Sequence, residues 1–239
     1  MSKLSIVGKI VRLPLALIPK SLVVTFLSGP LKGFKWIVGA SNHSYWLGFY
    51  EKRMKQLLLE NLKAGDSMLD LGGHVGYYSL IGSRLVGSTG RVFTFEPLPR
   101  NIKFLEDHLR LNKVTNVRLY KGAIAEYEGT FKLNDSSPVG ARLSETGGLD
   151  VRVYSLPKLW EEKELPIPQV IKMDIEGAER TLLPAIRSYL AQNNIKLFLS
   201  THGKDTHRAC VALLQELGYQ FIPLDGATLD TCTEMYCYK

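Results

Sequence analysis

The sequence predicts an α/β fold in which helices cover both faces of a mostly parallel sheet. From Ser67 onward, short apolar runs rich in β-branched and aromatic residues alternate with longer segments of helical periodicity, which is the order of strand–helix–strand units. A glycine-rich turn separates the first run from the helical segment that follows it. The 239 residues are enough to bury one sizeable core, so we expect a single domain with an N-terminal extension.

Helical periodicity and short apolar runs place the helices and strands of this fold along the chain. The predicted strands are Met68–Leu71, Arg91–Phe95, Val117–Tyr120, Val170–Asp174, Lys196–Ser200, Gln220–Pro223 and Thr233–Tyr238. The predicted helices are Glu51–Leu62, Tyr77–Leu85, Arg100–Leu111, Ala178–Tyr189 and Asp205–Leu217. Right-handed crossovers between parallel strands place such helices on both faces of the sheet. Residues 129–153 interrupt the alternation with clustered Asn, Asp, Pro and Gly, and this predicts a hairpin or an irregular insertion.

Residues 1–50 are predicted to form a basic and apolar extension, and residues 51–239 the domain. Lys or Arg alternates with Leu, Ile and Val from Met1 to Leu27, a pattern typical of a short interfacial helix that Pro14 and Pro19 would end or kink. The sequence leaves two interpretations open for it: peripheral contact with an anionic membrane, or packing against the body or against a second subunit of a homo-oligomer. Turn-forming glycines then indicate a hairpin-like stretch up to residue 50: Gly29, Gly33 and Gly39.

The net charge of +7 is concentrated in this extension, because residues 1–50 contain no acidic side chain. A nucleic-acid-binding domain would carry a basic stripe with interleaved aromatic residues on its body. Residues 51–239 are nearly neutral and show no such stripe, so no nucleic-acid partner is expected. Without an apolar run of ~20 residues or a signal-peptide pattern, we expect a cytoplasmic protein, which is peripheral at the inner face of a membrane under the first interpretation of its extension.

An acid and a glycine-rich turn follow the first predicted strand, in the segment MLDLGGHVG of residues 68–76. Glycine lets the backbone approach a ligand with no Cβ in the way, and the next helix offers free N–H groups at its start, as in nucleotide-type sites. The G-x-G-x-x-G dinucleotide pattern and the G-K-[ST] phosphate loop are absent, which disfavours NAD and nucleoside triphosphates. The candidate cofactor-binding residues here are Asp70, Gly72, Gly73, His74 and Gly76.

Further acids follow the later predicted strands. Glu96 ends the second strand and is followed by Pro97; a carboxylate at this place accepts ribose hydroxyls in doubly wound sheets. Asp174, Glu176 and Glu179 come at and after the end of a later strand, and His202 follows the next strand. These four residues are candidate catalytic bases, since several titratable groups on one rim indicate a catalytic site. A divalent cation held by the carboxylates is a less favoured alternative, because they form no local ligand motif with His202.

Together these residues resemble the FkbM-type methyltransferases, from about residue 29 onward. The segments that carry the resemblance are 29–33 (GPLKG), 47–51 (LGFYE), 70–79 (DLGGHVGYYS), 95–97 (FEP) and 171–179 (IKMDIEGAE). The resemblance implies a class I methyltransferase (Rossmann-like) fold with a seven-stranded, mostly parallel sheet. It also implies S-adenosylmethionine as cofactor and a hydroxyl oxygen of a sugar, a glycan, a glycolipid or a polyketide-like metabolite as acceptor.

The resemblance also assigns roles to residues. Asp70 and the glycine turn are expected to hold the methionine end of the cofactor, Glu96 its ribose, and Glu126 is expected near the adenine. Where relatives often have Thr-Leu-Asp, this chain has Ser155, Leu156 and Pro157, so any role of that Asp is lost here. Two other functions remain as alternatives: a dinucleotide-dependent oxidoreductase, and a non-catalytic peripheral membrane module with a methyltransferase-like fold.

Overall fold

The computed structural model describes residues 15, 17–134, 142–144, 148–226 and 228–239. Most of the predicted interfacial helix, residues 1–14 and 16, lies outside the described residues. The end of that stretch is described, and Val23–Thr25 is a strand. The prediction of a helix was wrong there, because Val23–Thr25 pairs with Lys35–Ile37 as an antiparallel ribbon.

Thirteen strands and seven α-helices make up the described part of the fold. The strands are β1 (Val23–Thr25), β2 (Lys35–Ile37), β3 (Ser67–Leu71), β4 (Arg91–Glu96), β5 (Val117–Lys121), β6 (Ala123–Ala125), β7 (Gly129–Asn134), β8 (Arg142–Ser144), β9 (Leu149–Ser155), β10 (Val170–Met173), β11 (Lys196–Ser200), β12 (Gln220–Pro223) and β13 (Glu234–Tyr238). The helices are α1 (Lys52–Asn61), α2 (Tyr77–Val86), α3 (Pro99–Leu111), α4 (Leu156–Glu161), α5 (Glu179–Ala185), α6 (Arg187–Gln192) and α7 (Lys204–Glu216).

The predicted strands form one seven-stranded sheet in the order β12-β13-β11-β10-β3-β4-β5. Every pairing from β11 to β5 is parallel, and β13 runs antiparallel to both of its neighbours. Side chains of β3 alternate between two apolar clusters: Leu69 and Leu71 belong to one and Met68 to the other. This period of two buries both faces of the sheet, so the predicted mostly parallel α/β fold is confirmed.

Two further predicted segments can be compared with the structure. The predicted helix Ala178–Tyr189 is divided into α5 and α6 at Ile186, and Pro184, inside α5, has no N–H to donate to the helix ladder. The predicted interruption at residues 129–153 contains β7, which pairs antiparallel with β8 and with β9. With β6 these strands form a second, four-stranded sheet, so among the described residues the segment is a hairpin arrangement.

The arrangement of β3 and β10 creates the crevice of this fold. They are parallel neighbours at the centre of the sheet, and the chain continues from β3 towards β5 but from β10 towards β12. The connections therefore leave in opposite directions and uncover a crevice at the carboxyl ends of the two strands. Gly72 and Asp174, the residues that directly follow these strands, lie at this crevice.

The segment before α1 packs on the sheet domain through Trp36 and His108. The Trp36 side chain is fully buried, and its ring stacks on His108 with centroids 4.0 Å apart. His108 Nε2 accepts a hydrogen bond from the Ile37 N–H (3.0 Å), and Nδ1 lies 2.8 Å from the Val75 carbonyl oxygen. Burial lowers the pKa of His108 to about 4, so the ring is neutral and joins the two segments. The proposed division of the chain at residue 50 stays a prediction.

Among the described residues, no helix is both long enough and apolar enough to cross a membrane.

Replacing Trp36 by Ala tests this packing. Trp36, a residue of β2, is fully buried against His108 of α3. We therefore expect the free energy of unfolding to fall by about 3–5 kcal/mol, measured by urea denaturation. The control is Phe49→Ala, whose parent side chain is 65% exposed; its effect should stay within about 0.5 kcal/mol. Equal effects of the two substitutions would show that the segment before α1 contributes no core packing.

Candidate functional site

A cavity of about 740 Å³ opens at the carboxyl ends of β3, β4, β10 and β11. Most of the predicted site residues line it: Gly72, Gly73, His74, Glu96, Pro97, Asp174, Glu176 and His202. The remaining predicted residues support these from outside the lining: Asp70, Gly76, Glu126 and Glu179. The cavity is within the usual size range of small-molecule and cofactor sites.

The glycine turn after β3 brings the backbone close to the end of β10. Gly72 has a φ of +84°, and a Cβ there would lie 1.9 Å from the carbonyl oxygen of Asp174. At Gly73 a Cβ would lie 2.2 Å from the Thr94 side chain. The N–H groups of Gly72 and Gly73 both donate to the Phe95 carbonyl oxygen, at 3.0 and 2.9 Å. Only glycine fits this double approach, and the result is a turn clamped between β10 and β4.

Gly76 and Asp70 stabilise the turn from behind. Gly76 has a φ of +90°, and a Cβ there would meet the Leu105 side chain of α3 at 3.0 Å. Asp70 is fully buried, and its Oδ2 accepts a hydrogen bond from Ser79 Oγ at 2.6 Å. Its Oδ1 has no hydrogen-bond partner among the described residues. Burial raises the pKa of Asp70, although Lys172 and Ser79 oppose that rise. Contact between Asp70 and a cofactor stays a prediction.

Glu96 faces the cavity from the end of β4 with its carboxylate already oriented. Oε2 accepts the His74 N–H at 2.7 Å, while Oε1 accepts the Leu98 N–H at 2.9 Å and Asn101 Nδ2 at 3.1 Å. A carboxylate has about four acceptor positions, so these three donors leave room for a ligand hydroxyl. Burial raises the pKa of Glu96 to about 7 against the effect of these donors.

Glu126 lies outside the cavity lining and contacts Thr181, which is part of that lining. The Thr181 hydroxyl donates to Glu126 Oε2 at 2.8 Å, and Thr181 itself lines the cavity. Ala123 and Ile124, two residues of β6, also line it and supply an apolar surface. The predicted position of Glu126 near an adenine ring stays a prediction.

The predicted catalytic residues meet at His202. Its Nδ1 lies 3.1 Å from Glu179 Oε1, and its Nε2 lies 3.5 Å from both Asp174 Oδ1 and Glu176 Oε2. A hydrogen bond to Glu179 raises the pKa of His202, as do the charges of all three carboxylates, while burial opposes the rise. His202 is distant from the three acids along the chain, and the parallel pairing of β10 with β11 brings them together in space.

Glu179 organises this group without lining the cavity. It is fully buried, and its two oxygens accept the backbone N–H groups of Ile175 (3.0 Å) and Gly177 (2.9 Å). The carboxylate therefore fixes the loop that carries Asp174 and Glu176. Because Glu179 only accepts hydrogen bonds when ionised, Nδ1 of His202 carries the proton and Nε2 faces the cavity side.

Lys172 is a site residue that the sequence interpretation missed. Its side chain, on β10, is 6% exposed, and Nζ lies 3.2 Å from Asp174 Oδ2 and 5.5 Å from the centre of the Tyr78 ring. Burial alone would lower the pKa of Lys172, but Asp174 and Asp70 raise it overall. For Asp174, burial alone would raise the pKa, but the positive charges of Lys172 and His202 lower it overall. The sequence did contain a signal for this residue, because Lys172 lies in an otherwise apolar strand. A buried charge needs a partner of opposite charge, so a nearby carboxylate could have been expected.

Four tyrosines form a further wall of the cavity that the sequence did not predict: Tyr45, Tyr50, Tyr77 and Tyr78. The rings of Tyr45 and Tyr50 stack with centroids 3.8 Å apart, and Tyr45 meets Tyr77 edge to face at 5.0 Å. The Tyr78 hydroxyl donates to Glu51 at the start of α1. The segment before α1 therefore contributes directly to the site through Tyr45 and Tyr50.

Comparison with known proteins matches this arrangement to one family. The family model of the methyltransferase FkbM domain matches residues 70–221. The crystal structure of methyltransferase FkbM from Methylobacillus flagellatus has a TM-score of 0.53 at 16% identity and covers 84% of this chain and 56% of that chain. The predicted class I methyltransferase fold is thereby confirmed.

Two curated relatives are similar in sequence. The hexuronic acid methyltransferase AglP of Haloferax volcanii is 28% identical over 148 residues, which are 60% of this chain and 59% of AglP. A protein-L-isoaspartate O-methyltransferase of Methanothrix thermoacetophila is 24% identical over 168 residues, 70% of this chain and 65% of the relative. The chain thus spans less than two thirds of the length of either relative.

Gly73→Ala tests the clamped turn. A Cβ at this position would lie 2.2 Å from Thr94, so the turn must shift, and we expect the free energy of unfolding to fall by about 1–3 kcal/mol, measured by chemical denaturation. Gly129→Ala is the matched control, because a Cβ there meets nothing within 4 Å. A Gly73→Ala protein as stable as the control would contradict the tight packing of this turn.

Proposed function

The chain belongs to the FkbM methyltransferase family, and from this premise we propose that it transfers the methyl group of S-adenosylmethionine to a hydroxyl oxygen of a sugar, glycan, glycolipid or polyketide-like acceptor. The observation that carries the proposal is the placement of Glu96 and of the Asp174–His202 group on one cavity. Glu96 offers a hydrogen-bond acceptor for the ribose hydroxyls of the cofactor, and the Asp174–His202 group offers atoms that can take a proton from the substrate hydroxyl.

The residues present fit the proposed cofactor. The glycine turn excludes side chains from the floor of the cavity, as a close-lying ligand requires. Glu96 is held by three donors and retains acceptor capacity towards hydroxyls. Ile124 provides an apolar surface for a base, next to the Thr181 hydroxyl. Bound there, S-adenosylmethionine supplies an activated methyl group on a sulfonium.

At the other end of the cavity, the protein has to position the acceptor oxygen and remove its proton. Alignment of the two reacting atoms supplies much of the rate acceleration in a displacement of this kind. Asp174, Glu176 and His202 surround the place where we propose the hydroxyl lies. The proton leaves the hydroxyl within this group, which Glu179 holds in position through His202 and through the loop backbone.

A sugar-like acceptor suits the composition of the cavity wall. Four tyrosines line the cavity and supply aromatic surface for a sugar ring, and the carboxylates of the same cavity can accept hydrogen bonds from several hydroxyls. The name of the relative AglP, a hexuronic acid methyltransferase, supports a sugar as the acceptor class.

We also propose peripheral contact of the extension with an anionic membrane, which would bring a glycolipid acceptor to the enzyme. Leu17 and Leu27 are 83% and 85% exposed, and Lys20 between them is exposed as well. Exposed apolar side chains flanked by basic ones favour an anionic lipid surface.

Glu96→Ala tests the cofactor site. We expect the Kd of S-adenosylhomocysteine, measured by calorimetry, to rise by about 10-fold or more, since hydrogen bonds to charged groups contribute ~1.5–3 kcal/mol. In the unmodified protein the affinity should strengthen as the pH rises through about 7, the pKa of Glu96, because the ionised carboxylate is the better acceptor. Glu128→Ala, at an exposed salt bridge, is the control. An unchanged Kd in folded Glu96→Ala protein would refute ribose binding by Glu96.

His202→Ala tests the proton-accepting group, using an acceptor found by screening hydroxylated sugars for methyl incorporation. We expect kcat to fall by ~10²–10⁴-fold, while the Kd of S-adenosylhomocysteine stays unchanged. His43→Ala, outside the cavity lining and paired with Trp46, is the control.

Glu179→Gln should shift the pH midpoint of kcat downward, because the hydrogen bond and charge of Glu179 raise the pKa of His202. Activity requires Nε2 without its proton, so it should increase as the pH rises through that pKa. A pH profile identical to that of the unmodified enzyme would contradict the positioning role of Glu179.

A further inference from the structure

The group around His202 has the geometry of a metal site. One oxygen of Asp174, one oxygen of Glu176 and one nitrogen of His202 all lie within 4.8 Å of one another. Nε2 is 3.5 Å from each of the two oxygens. A cation with bonds of ~2.1 Å holds its ligand atoms roughly 3–4 Å apart. The two distances from Nε2 therefore match ligands around a common centre, and they exceed the ~2.7–2.9 Å of a charge-assisted hydrogen bond.

The orientation of His202 is the second observation, and it involves a residue outside the three ligands. Glu179 is fully buried and accepts the hydrogen bond of the Nδ1–H group, and Nε2 is directed towards two carboxylates. When His202 is neutral, the lone pair on Nε2 faces these two negative charges, and a cation bound between the three atoms offsets that repulsion. Histidines that bind metals commonly donate their other N–H to a carboxylate in this way, which fixes the tautomer.

The charges around the group also favour a cation. Lys172 contacts Oδ2 of Asp174, which leaves Oδ1 directed towards His202. Within the described residues, Lys172 is the one lysine or arginine that forms an ion pair with this group, which contains the carboxylates of Asp174, Glu176 and Glu179. A divalent cation would offset this excess of negative charge.

We propose that Asp174, Glu176 and His202 bind a divalent cation, with Glu179 as the positioning residue for His202. Two carboxylate oxygens and one imidazole nitrogen are a donor set that suits Mn²⁺ or a similar first-row ion. All three ligand residues line the cavity, so an ion bound by them is accessible to a ligand in the cavity. Binding of the ion does not depend on the function proposed above.

The role of the ion in methyl transfer does rest on that function. A hydroxyl oxygen bound to a divalent cation loses its proton more easily. Because the ion would occupy the Nε2 lone pair that accepts the proton in the metal-free site, the O–H bond would break with transfer of the proton to solvent water. The oxygen then forms a bond to the methyl carbon as the carbon–sulfur bond breaks, and the electron pair of that bond stays on sulfur.

Mn²⁺ binding to the full chain tests the proposal. After treatment with EDTA and gel filtration, the protein is titrated with MnCl₂, and free Mn²⁺ is measured by electron paramagnetic resonance. We expect one saturable site, with the Kd raised ~10–100-fold by Glu179→Gln and saturable binding abolished by His202→Ala and by Glu176→Gln. Glu128→Gln, an exposed carboxylate substitution, should bind Mn²⁺ as the unmodified chain does. Thermal unfolding checks that every variant is folded.

Binding of S-adenosylhomocysteine to the same EDTA-treated samples separates the two proposals. Retained S-adenosylhomocysteine binding without saturable Mn²⁺ binding would overturn the metal site and leave the methyltransferase function standing. Saturable Mn²⁺ binding that survives both His202→Ala and Glu176→Gln would also overturn the metal site, because other residues would then hold the ion. Loss of S-adenosylhomocysteine binding alone would count against the function and leave the metal site intact.

Discussion

The parallel pairing of β3 with β10 is the constraint on which the site depends. It brings Gly72 against the carbonyl oxygen of Asp174, so that no side chain larger than hydrogen fits between the two strand ends. Because the chain leaves these strands in opposite directions, the crevice above them stays open. The pairings of β4 with β3 and of β11 with β10 then place Glu96 on one side of this crevice and His202 on the other. The two ends of the cavity thus follow from strand order.

Burial of charge beneath the cavity is tolerated because the charges are paired. Lys172 is almost completely buried, and it contacts Asp174 while Asp70 lies close enough to raise its pKa. Glu179 is fully buried and is satisfied by two backbone N–H groups and by His202. Removing one member of such a group leaves an uncompensated buried charge, which is strongly destabilising. The contacts of Lys172 with Asp174 and of Glu179 with His202 also orient Asp174 and His202 at the cavity. The same interactions therefore stabilise the fold and set the geometry of the site.

The segment before α1 completes the cavity from the other side. Trp36 and His108 join it to the sheet domain, and Tyr45 and Tyr50 extend from it over the glycine turn. Tyr45 and Tyr50 stack on each other, and Tyr77 of α2 meets both rings edge to face, so the three rings form one aromatic cluster. These rings line the same cavity as Asp174, Glu176 and His202, so the cavity wall is built from two segments far apart in the chain.

The sequence by itself determined the seven strands of the main sheet, the glycine turn and the family, because short-range periodicity and local motifs carry that information. It also identified Glu96, Asp174 and His202, since an acid or a histidine after a strand lies at the carboxyl edge of a parallel sheet. The four-stranded second sheet was only partly predicted, because the pairing of β6 with β9 joins residues far apart in the chain. The tyrosine wall, the ion pair of Lys172 and the 3.5 Å approach of His202 to Asp174 and Glu176 were decided by tertiary structure alone. Each depends on distances between side chains from different elements, and no spacing along the chain records those distances.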